Sequence, residues 1–159
     1  MKWLFACLAS VVMVSAACAA EQEPDQLIKS VTEEVLSVVR TDKEIQSGNT
    51  KKAVALIETK VLPNFNFTHM TQLALGREWR NATPAQQTSL TNEFRTLLVR
   101  TYSKALTEYR NQTIDYKPFA LKAGETDTKV RTQVNQANGK PIALDYSLEK
   151  QNSAWKVYD

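Results

Sequence analysis

Histidine, cysteine and glycine are scarce in this sequence of 159 residues. It contains one histidine, His69, two cysteines, Cys7 and Cys18, and four glycines. These counts exclude most zinc sites, a Cys-His hydrolase and any Ser-His-Asp triad that does not use His69. The glycines are too few and too far apart for a phosphate-binding loop, and the motifs H-E-x-x-H and G-x-S-x-G do not occur. We therefore predict no catalytic and no metal-binding residues.

An excess of charge of one sign is also lacking. The sequence has 20 basic and 17 acidic residues and a formal net charge of +3. The acidic residues are scattered and mostly lie near Lys or Arg, so a pair of catalytic carboxylates is not indicated. The hydrophobic content of 43% is sufficient for a packed core. The length fits one domain of ordinary size, or a short domain plus a targeting segment, and no nucleic-acid partner is expected.

The first twenty residues differ from the rest of the chain. Lys2 supplies a positive charge, residues 3–14 are almost wholly apolar, and residues 15–20 are small. This order is typical of a secretory signal peptide, and we expect cleavage after Ala20 or Ala19. One alternative is an uncleaved anchor, although the apolar stretch is shorter than the ~20 residues that span a membrane. Another is lipidation of Cys18, although Ser15 stands where a bulky aliphatic residue is expected.

Cleavage would leave a domain of residues 21–159. That domain has 139 residues, no cysteine, 19 basic and 17 acidic side chains. It would be exported to an oxidising compartment without any disulfide, so its hydrophobic core must stabilise it unaided.

The first half of this domain has apolar residues at helical spacing. A first helix is expected to begin after Pro24, and a second over residues 51–62 is ended by Pro63. Thr68 is expected to cap a short helix that Gly76 ends. The strongest signal is a capping box at residues 83–86, which begins a helix of about 26 residues. Its apolar stripe is Leu90, Phe94, Leu97, Leu98, Tyr102, Ala105, Leu106 and Tyr109.

The second half changes to the alternation typical of β-strands. Four short runs alternate apolar and polar residues, around positions 114–116, 130–134, 142–148 and 155–157. Turn residues join them, including Asn138-Gly139 and Asn152-Ser153. The pattern predicts an α+β fold, in which N-terminal helices pack on one face of a C-terminal antiparallel sheet.

Aromatic residues occur on both predicted apolar faces. The sheet carries Tyr116, Tyr146 and Trp155, while the long helix carries Phe94, Tyr102 and Tyr109 on its stripe. An ordinary core explains this pattern. A second explanation is a cavity between helix and sheet that takes an apolar ligand, with tyrosine hydroxyls as polar groups at its rim. The pattern alone does not distinguish the two.

Several segments resemble a known family. They are VLPNFNF at 61–67, MT at 70–71, ALGREWR at 74–80, ATPAQQ at 82–87, FRTLLVRTY at 94–102 and WKVYD at 155–159. In this order they resemble the MlaC family of toluene-tolerance-type periplasmic phospholipid-binding proteins. The resemblance implies an NTF2-like fold whose pocket takes acyl tails. It also implies a non-enzymatic periplasmic carrier, with phospholipid as cargo and no cofactor, that maintains outer-membrane lipid asymmetry and solvent tolerance.

The resemblance also implies partners and a site. The carrier would move lipid between an outer-membrane lipoprotein and porin complex and an inner-membrane ABC transporter. The residues that we expect to contact lipid are Leu98, Tyr102, Tyr109, Val130, Val134, Leu144, Tyr146, Leu148, Trp155 and Val157.

Two features depart from the family pattern. Asn66 stands where the family usually has Asp between two phenylalanines, and the sequence ends at Asp159, where family members continue into a terminal helical segment. We therefore expect residues 21–159 to be a lipid-binding domain truncated at its C-terminus, with an exposed edge on its last strand.

Two other functions stay open at this point. An NTF2-like isomerase would need a pocket Asp and Tyr, and Asp115 or Asp145 would be candidates, yet alternation places both opposite the apolar face. A module that docks membrane proteins without cargo is the other alternative.

Overall fold

The helices come first along the chain, as the sequence predicts. A computed structural model describes residues 22–136 and 139–159, so the predicted signal peptide, with Cys7 and Cys18, lies outside the described residues. Within these residues, six α-helices precede the strands: α1 (Pro24–Thr41), α2 (Lys43–Gln46), α3 (Thr50–Leu56), α4 (Phe67–Leu75), α5 (Glu78–Asn81) and α6 (Pro84–Thr107). None of the described helices combines the length and apolar character that crossing a membrane requires.

Two helix boundaries differ from the prediction. The helix expected over residues 51–62 is α-helical only as far as Leu56 and continues as a π-turn at Ile57–Val61 and a 3₁₀-turn at Leu62–Asn64. The cap of α4 is Asn66 rather than Thr68, because the Asn66 side chain accepts a hydrogen bond from the His69 N–H. Gly76 ends α4 with φ at 54°, a conformation that favours glycine.

The start of α6 is confirmed. The Thr83 hydroxyl accepts from the Gln86 N–H at 3.3 Å, and the Gln86 side chain accepts from the Thr83 N–H at 2.8 Å. Pro84 occupies the first helical position, where its missing N–H costs nothing. This reciprocal cap fixes where a helix of 24 residues begins.

We expect Thr83→Ala to destabilise the protein by about 1 kcal/mol, because it removes the hydroxyl that accepts from Gln86. The melting temperature should fall by about 4 °C. The matched control is Thr88→Ala, since Thr88 is exposed within the same helix and caps nothing. Equal melting temperatures for the Thr83→Ala variant and the unmodified protein would contradict the prediction.

The strands form one antiparallel meander, which confirms the predicted fold class. Strands β1 (Thr113–Tyr116), β2 (Asp127–Asn135), β3 (Ile142–Gln151) and β4 (Ala154–Val157) are hydrogen-bonded in chain order. The register pairs Val130 with Tyr146 and Leu148 with Val157, so these side chains share one face. Asn152 and Ser153, at φ of 49° and 65°, form the predicted tight turn between β3 and β4.

Helix α1 covers one half of the apolar face of the sheet. Leu27 and Ile28 of α1 pack with four buried strand residues, Val130, Leu148, Trp155 and Val157. A second buried cluster joins α1 to α2 and α3 through Val35, Val39, Ile45 and Leu56. Leu144 and Ile142, in the other half of the same face, lie outside this cluster and are exposed.

The segment before α4 contacts β4, and we call this the edge contact. Phe65 forms a parallel bridge with Val157, and the Asn66 N–H donates to the Val157 carbonyl at 2.8 Å. The Lys156 ammonium donates to the Pro63 carbonyl at 2.6 Å. The prediction of an exposed edge is therefore wrong at Val157, because the chain from the helical half pairs there.

Candidate functional site

A cavity of about 670 Å³ lies between the helices and the half of the sheet that α1 leaves uncovered. The segment of residues 57–62 and helix α4 form one side, α6 forms another, and the sheet forms the floor. Most of its lining is apolar. The helical side contributes Val35, Ile57, Val61, Leu62, Phe65, Phe67, Met70, Leu73 and Ala74. The other lining residues are Phe94, Leu98, Val99, Tyr102, Leu106, Leu144, Asp145, Tyr146, Val157, Tyr158 and Asp159.

The spacing of four residues along α6 places one row of side chains in the cavity. Phe94, Leu98, Tyr102 and Leu106 are successive members of this row. The buried residues of the same helix are Val99, Ser103 and Thr107, and of these Val99 also lines the cavity. These smaller side chains let α6 approach the neighbouring helices, and the larger apolar ones surround the open volume. The predicted stripe therefore lines a cavity more than it fills a core.

Five of the residues predicted to contact a ligand line this cavity. They are Leu98, Tyr102, Leu144, Tyr146 and Val157. The other five lie elsewhere. Val130, Leu148 and Trp155 are buried under α1, Val134 pairs with Ile142 further along the sheet, and Tyr109 donates from its hydroxyl to the Gln112 carbonyl at 2.8 Å. Alternation identifies the face of the sheet that lines the cavity but does not reveal which part of that face packs under α1.

The prediction missed the contribution of residues 57–74. Phe65, Phe67, Met70 and Leu73 line the cavity although no strand or long helix carries them. Phe65 and Phe67 follow closely after Pro63, and this pair of aromatic residues is the signal in the sequence that could have identified the segment. In the structure the two rings stack with 6.0 Å between their centroids.

The charged groups at the cavity are acidic. Among the described lining residues, Asp145 and Asp159 are the charged ones, and no Lys, Arg or His takes part. The carboxylate of Asp145 lies 3.8 Å from the Arg131 guanidinium, with 41% of its side chain exposed. Asp115 accepts from the Asn135 amide at 2.9 Å. The carboxylates of Asp145 and Asp115 therefore both lack the buried, water-shielded environment that a general base in an apolar pocket would have.

The family model described as MlaC protein matches residues 29–159. The chain belongs to the MlaC family. A solved phospholipid-binding protein from Ralstonia solanacearum, in complex with a phospholipid, is 44% identical and superposes with a TM-score of 0.77. That match covers 85% of this chain and 75% of the other.

Two curated MlaC-type relatives are more distant. The intermembrane phospholipid transport system binding protein MlaC of Haemophilus influenzae is 24% identical, over 99% of this chain and 76% of that protein. Toluene tolerance protein ttg2D of Pseudomonas putida is 27% identical, over 87% of this chain and 64% of that protein. The chain thus spans about two thirds to three quarters of the length of these MlaC-type relatives.

Tyr146 lines this MlaC-family cavity, and the apolar environment there changes the pKa of its phenol. The pKa of Tyr146 is raised to about 12, mainly by burial and in smaller part by the nearby Tyr116, while a hydrogen bond with Thr132 opposes the shift. The hydroxyl therefore stays neutral at any physiological pH and is available as a hydrogen-bonding group within an apolar wall.

We expect this tyrosine to make the protein less stable at high pH. In the unfolded chain its phenol ionises near its ordinary value of 10, whereas the folded protein holds the proton up to about 12. Its contribution is therefore fully present below pH ~10 and is lost as the pH rises towards 12, by about 2 kcal/mol near pH 11.5. Urea unfolding between pH 9 and 11.5 measures this loss, and Tyr146→Phe should show a smaller one. An equal loss in the two proteins would contradict the assignment.

His69 lies in a polar network beside the MlaC cavity. Its Nδ1 is 3.0 Å from a Glu149 carboxylate oxygen, and its ring stacks on Tyr158 with 4.2 Å between centroids. The Asn66 amide donates to the other Glu149 oxygen at 2.6 Å. The network joins the start of α4 to the sheet. In the part of the chain that the structure describes, no group of three or more His, Cys, Asp or Glu side chains could hold a metal ion.

Proposed function

We propose that this protein is a periplasmic phospholipid carrier that encloses acyl tails in the cavity between α6 and the sheet. The observation that carries the proposal is the apolar cavity of about 670 Å³ in an MlaC-family chain. That volume is typical of pockets that enclose most of a small ligand. The relative from Ralstonia solanacearum, which is 44% identical, was solved in complex with a phospholipid.

The physics of a carrier explains why an apolar cavity is sufficient. Removing a palmitoyl chain from water gains on the order of 10 kcal/mol, at ~0.8 kcal/mol per methylene. A lipid therefore leaves a bilayer through water very slowly. A cavity as apolar as the bilayer interior lowers that barrier and scarcely biases the equilibrium. Direction must come from docking partners and from ATP hydrolysis elsewhere.

The wider role is part of the same proposal. The carrier would shuttle phospholipid between an outer-membrane lipoprotein and porin complex and an inner-membrane ABC transporter, and would help to maintain outer-membrane lipid asymmetry. Export would use residues 1–20 as a cleaved signal peptide. The carrier would perform no catalysis, since the carboxylates near the cavity either pair with Arg131, accept from Asn135 or remain open to water.

Lipid extraction tests the proposal. The protein is expressed with its own N-terminal segment, purified without detergent from the periplasmic fraction, and analysed by native mass spectrometry and by mass spectrometry of extracted lipids. We expect a stoichiometric phospholipid adduct, because the cavity otherwise exposes apolar surface to water. Protein that carries no phospholipid, and acquires none from phosphatidylethanolamine vesicles, would overturn the carrier role. Turnover of a small ketosteroid-type substrate would favour the isomerase alternative.

A further inference from the structure

A second cavity of about 390 Å³ lies between α4 and α6, next to the larger one. Its lining is Thr71, Ala74, Leu75, Leu90, Glu93, Phe94 and Leu97. Most of these side chains are apolar, and the Thr71 hydroxyl is already engaged, since it donates to the Phe67 carbonyl at 2.6 Å. Glu93 is the single charged member among the described residues that line it. The surface therefore suits a flexible apolar ligand better than a polar one.

The two cavities share a wall. Ala74 of α4 and Phe94 of α6 line both of them, so the methyl group of Ala74 and the ring of Phe94 lie between the two cavities. Neither side chain has a polar atom that an apolar ligand would leave without a partner. Phe94 is half-buried rather than fully buried in the core, so its ring is the part of this wall that a change of side-chain rotamer can move.

Two large apolar residues that line the second cavity are exposed to solvent. Leu97 is 58% exposed and Leu90 is 38% exposed, although both belong to the apolar stripe of α6. Leucines that neither pack in a core nor line the main cavity have no role in the fold described above. Both leucines lie beside the shared wall and line the second cavity.

We propose that the cavity between α4 and α6 is a separate compartment for the terminal methylenes of a long acyl chain, with Phe94 as the partition. The inference rests on the proposed carrier function and adds to it a determinant of acyl-chain length. Chains short enough for the main cavity end before Phe94. Longer chains pass the ring and are covered by Leu90 and Leu97.

A chain-length series measures this directly. The probes are dilauroyl, dimyristoyl, dipalmitoyl and distearoyl phosphatidylethanolamine, which share one head group and differ only in their tails. Each is loaded from vesicles, and the lipid retained per protein is measured by native mass spectrometry. Because each lipid comes from a bilayer, a methylene that the cavities enclose should change retention little, whereas each methylene left in water should lower it by about fourfold. The unmodified protein should therefore retain the lipids about equally up to the longest chain that the two compartments together accept.

Leu97→Asp is the informative variant, because Leu97 lines the second cavity and not the first. A carboxylate there excludes an acyl chain, and its exposed position should leave the fold intact. We expect unchanged retention of the dilauroyl lipid and a loss on the order of tenfold for the distearoyl lipid. The matched control is Thr96→Asp, an exposed neighbour on α6 outside both cavities, which should match the unmodified protein for every lipid.

The outcomes separate this inference from the carrier function. If the unmodified protein retains none of the four lipids, the carrier function itself fails. If it retains them and the Leu97→Asp profile matches that of Thr96→Asp, the acyl compartment is overturned while the carrier function stands. A Leu97→Asp protein with an unchanged lipid profile but slower transfer of lipid to membranes would also overturn it, since the second cavity would then be a surface that contacts the acceptor membrane.

Discussion

Replacing Leu144 by aspartate is expected to empty the main cavity. Leu144 lines the cavity from β3 and is 42% exposed at its mouth. A carboxylate at this position would have to lie unpaired against an acyl tail, which costs several kcal/mol. Because ~2.7 kcal/mol already corresponds to a hundredfold change in affinity, retained phospholipid should fall about a hundredfold or more. Mass spectrometry of lipid extracted from the purified variant provides the measurement.

Ile142→Asp is the matched control for this variant. Ile142 lies two residues earlier on the same strand and the same face, is 51% exposed, and does not line the cavity. Both variants introduce one exposed carboxylate into β3, so a general effect on the strand would appear in both. Circular dichroism establishes that each is folded. A folded Leu144→Asp protein with the lipid content of the Ile142→Asp protein would refute the placement of the tail against β3.

A large loss of stability, rather than of lipid, is expected for Leu148→Ala. Leu148 is fully buried in the cluster between α1 and the sheet and does not line the cavity. The substitution leaves an empty volume and should cost about 3 kcal/mol. The melting temperature should then fall by about 12 °C, at roughly 4 °C per kcal/mol. Thermal unfolding followed by circular dichroism measures the shift.

The lipid content of this variant is the informative second measurement. Below its melting temperature, folded Leu148→Ala should retain as much phospholipid per molecule as the unmodified protein. Leu148→Met, which nearly conserves volume, should cost less than about 1.5 kcal/mol. Selective loss of lipid from folded Leu148→Ala would show that the region under α1 belongs to the binding site after all.

The parts of the fold that follow local rules could be predicted from the sequence. Thr83, Pro84 and Gln86 determine the start of α6 within a few residues, and the period of two identifies the apolar face of the sheet. The π-turn after Leu56 could not be predicted in this way. Its backbone follows from how residues 57–62 pack beside α6 and the cavity, and that packing is not local information.

The residues that line the cavity could be predicted only in part, and the physical reason is a different one. A buried core and an apolar cavity select the same side chains, so the pattern around Val130 and Leu148 looks the same as that around Leu144 and Tyr146. The difference arises from α1, whose Leu27 and Ile28 fill one half of the face and leave the other half open. How much of the sheet face α1 covers depends on how this helix docks on the sheet. The alternation of residues within a strand carries no information about that docking.

The edge contact has a consequence for the order of folding. Its partners are far apart in sequence, as the separation of 93 residues between Pro63 and Lys156 shows. Closing so long a loop is entropically unfavourable until other contacts have formed, and contacts of this kind slow folding. The bridge between Phe65 and Val157 should therefore be among the last native pairings to form.

Phe65 and Val157 also line the cavity, so its volume of about 670 Å³ is completed only when this pairing forms. A partly folded molecule has separate apolar surfaces but no enclosed volume. On the proposed carrier function, only the native state would capture lipid in this cavity, and by mass action each bound lipid would shift the folding equilibrium towards that state. A carrier that releases its lipid would return to its lower, unliganded stability, so its resistance to unfolding would rise and fall with every transport cycle.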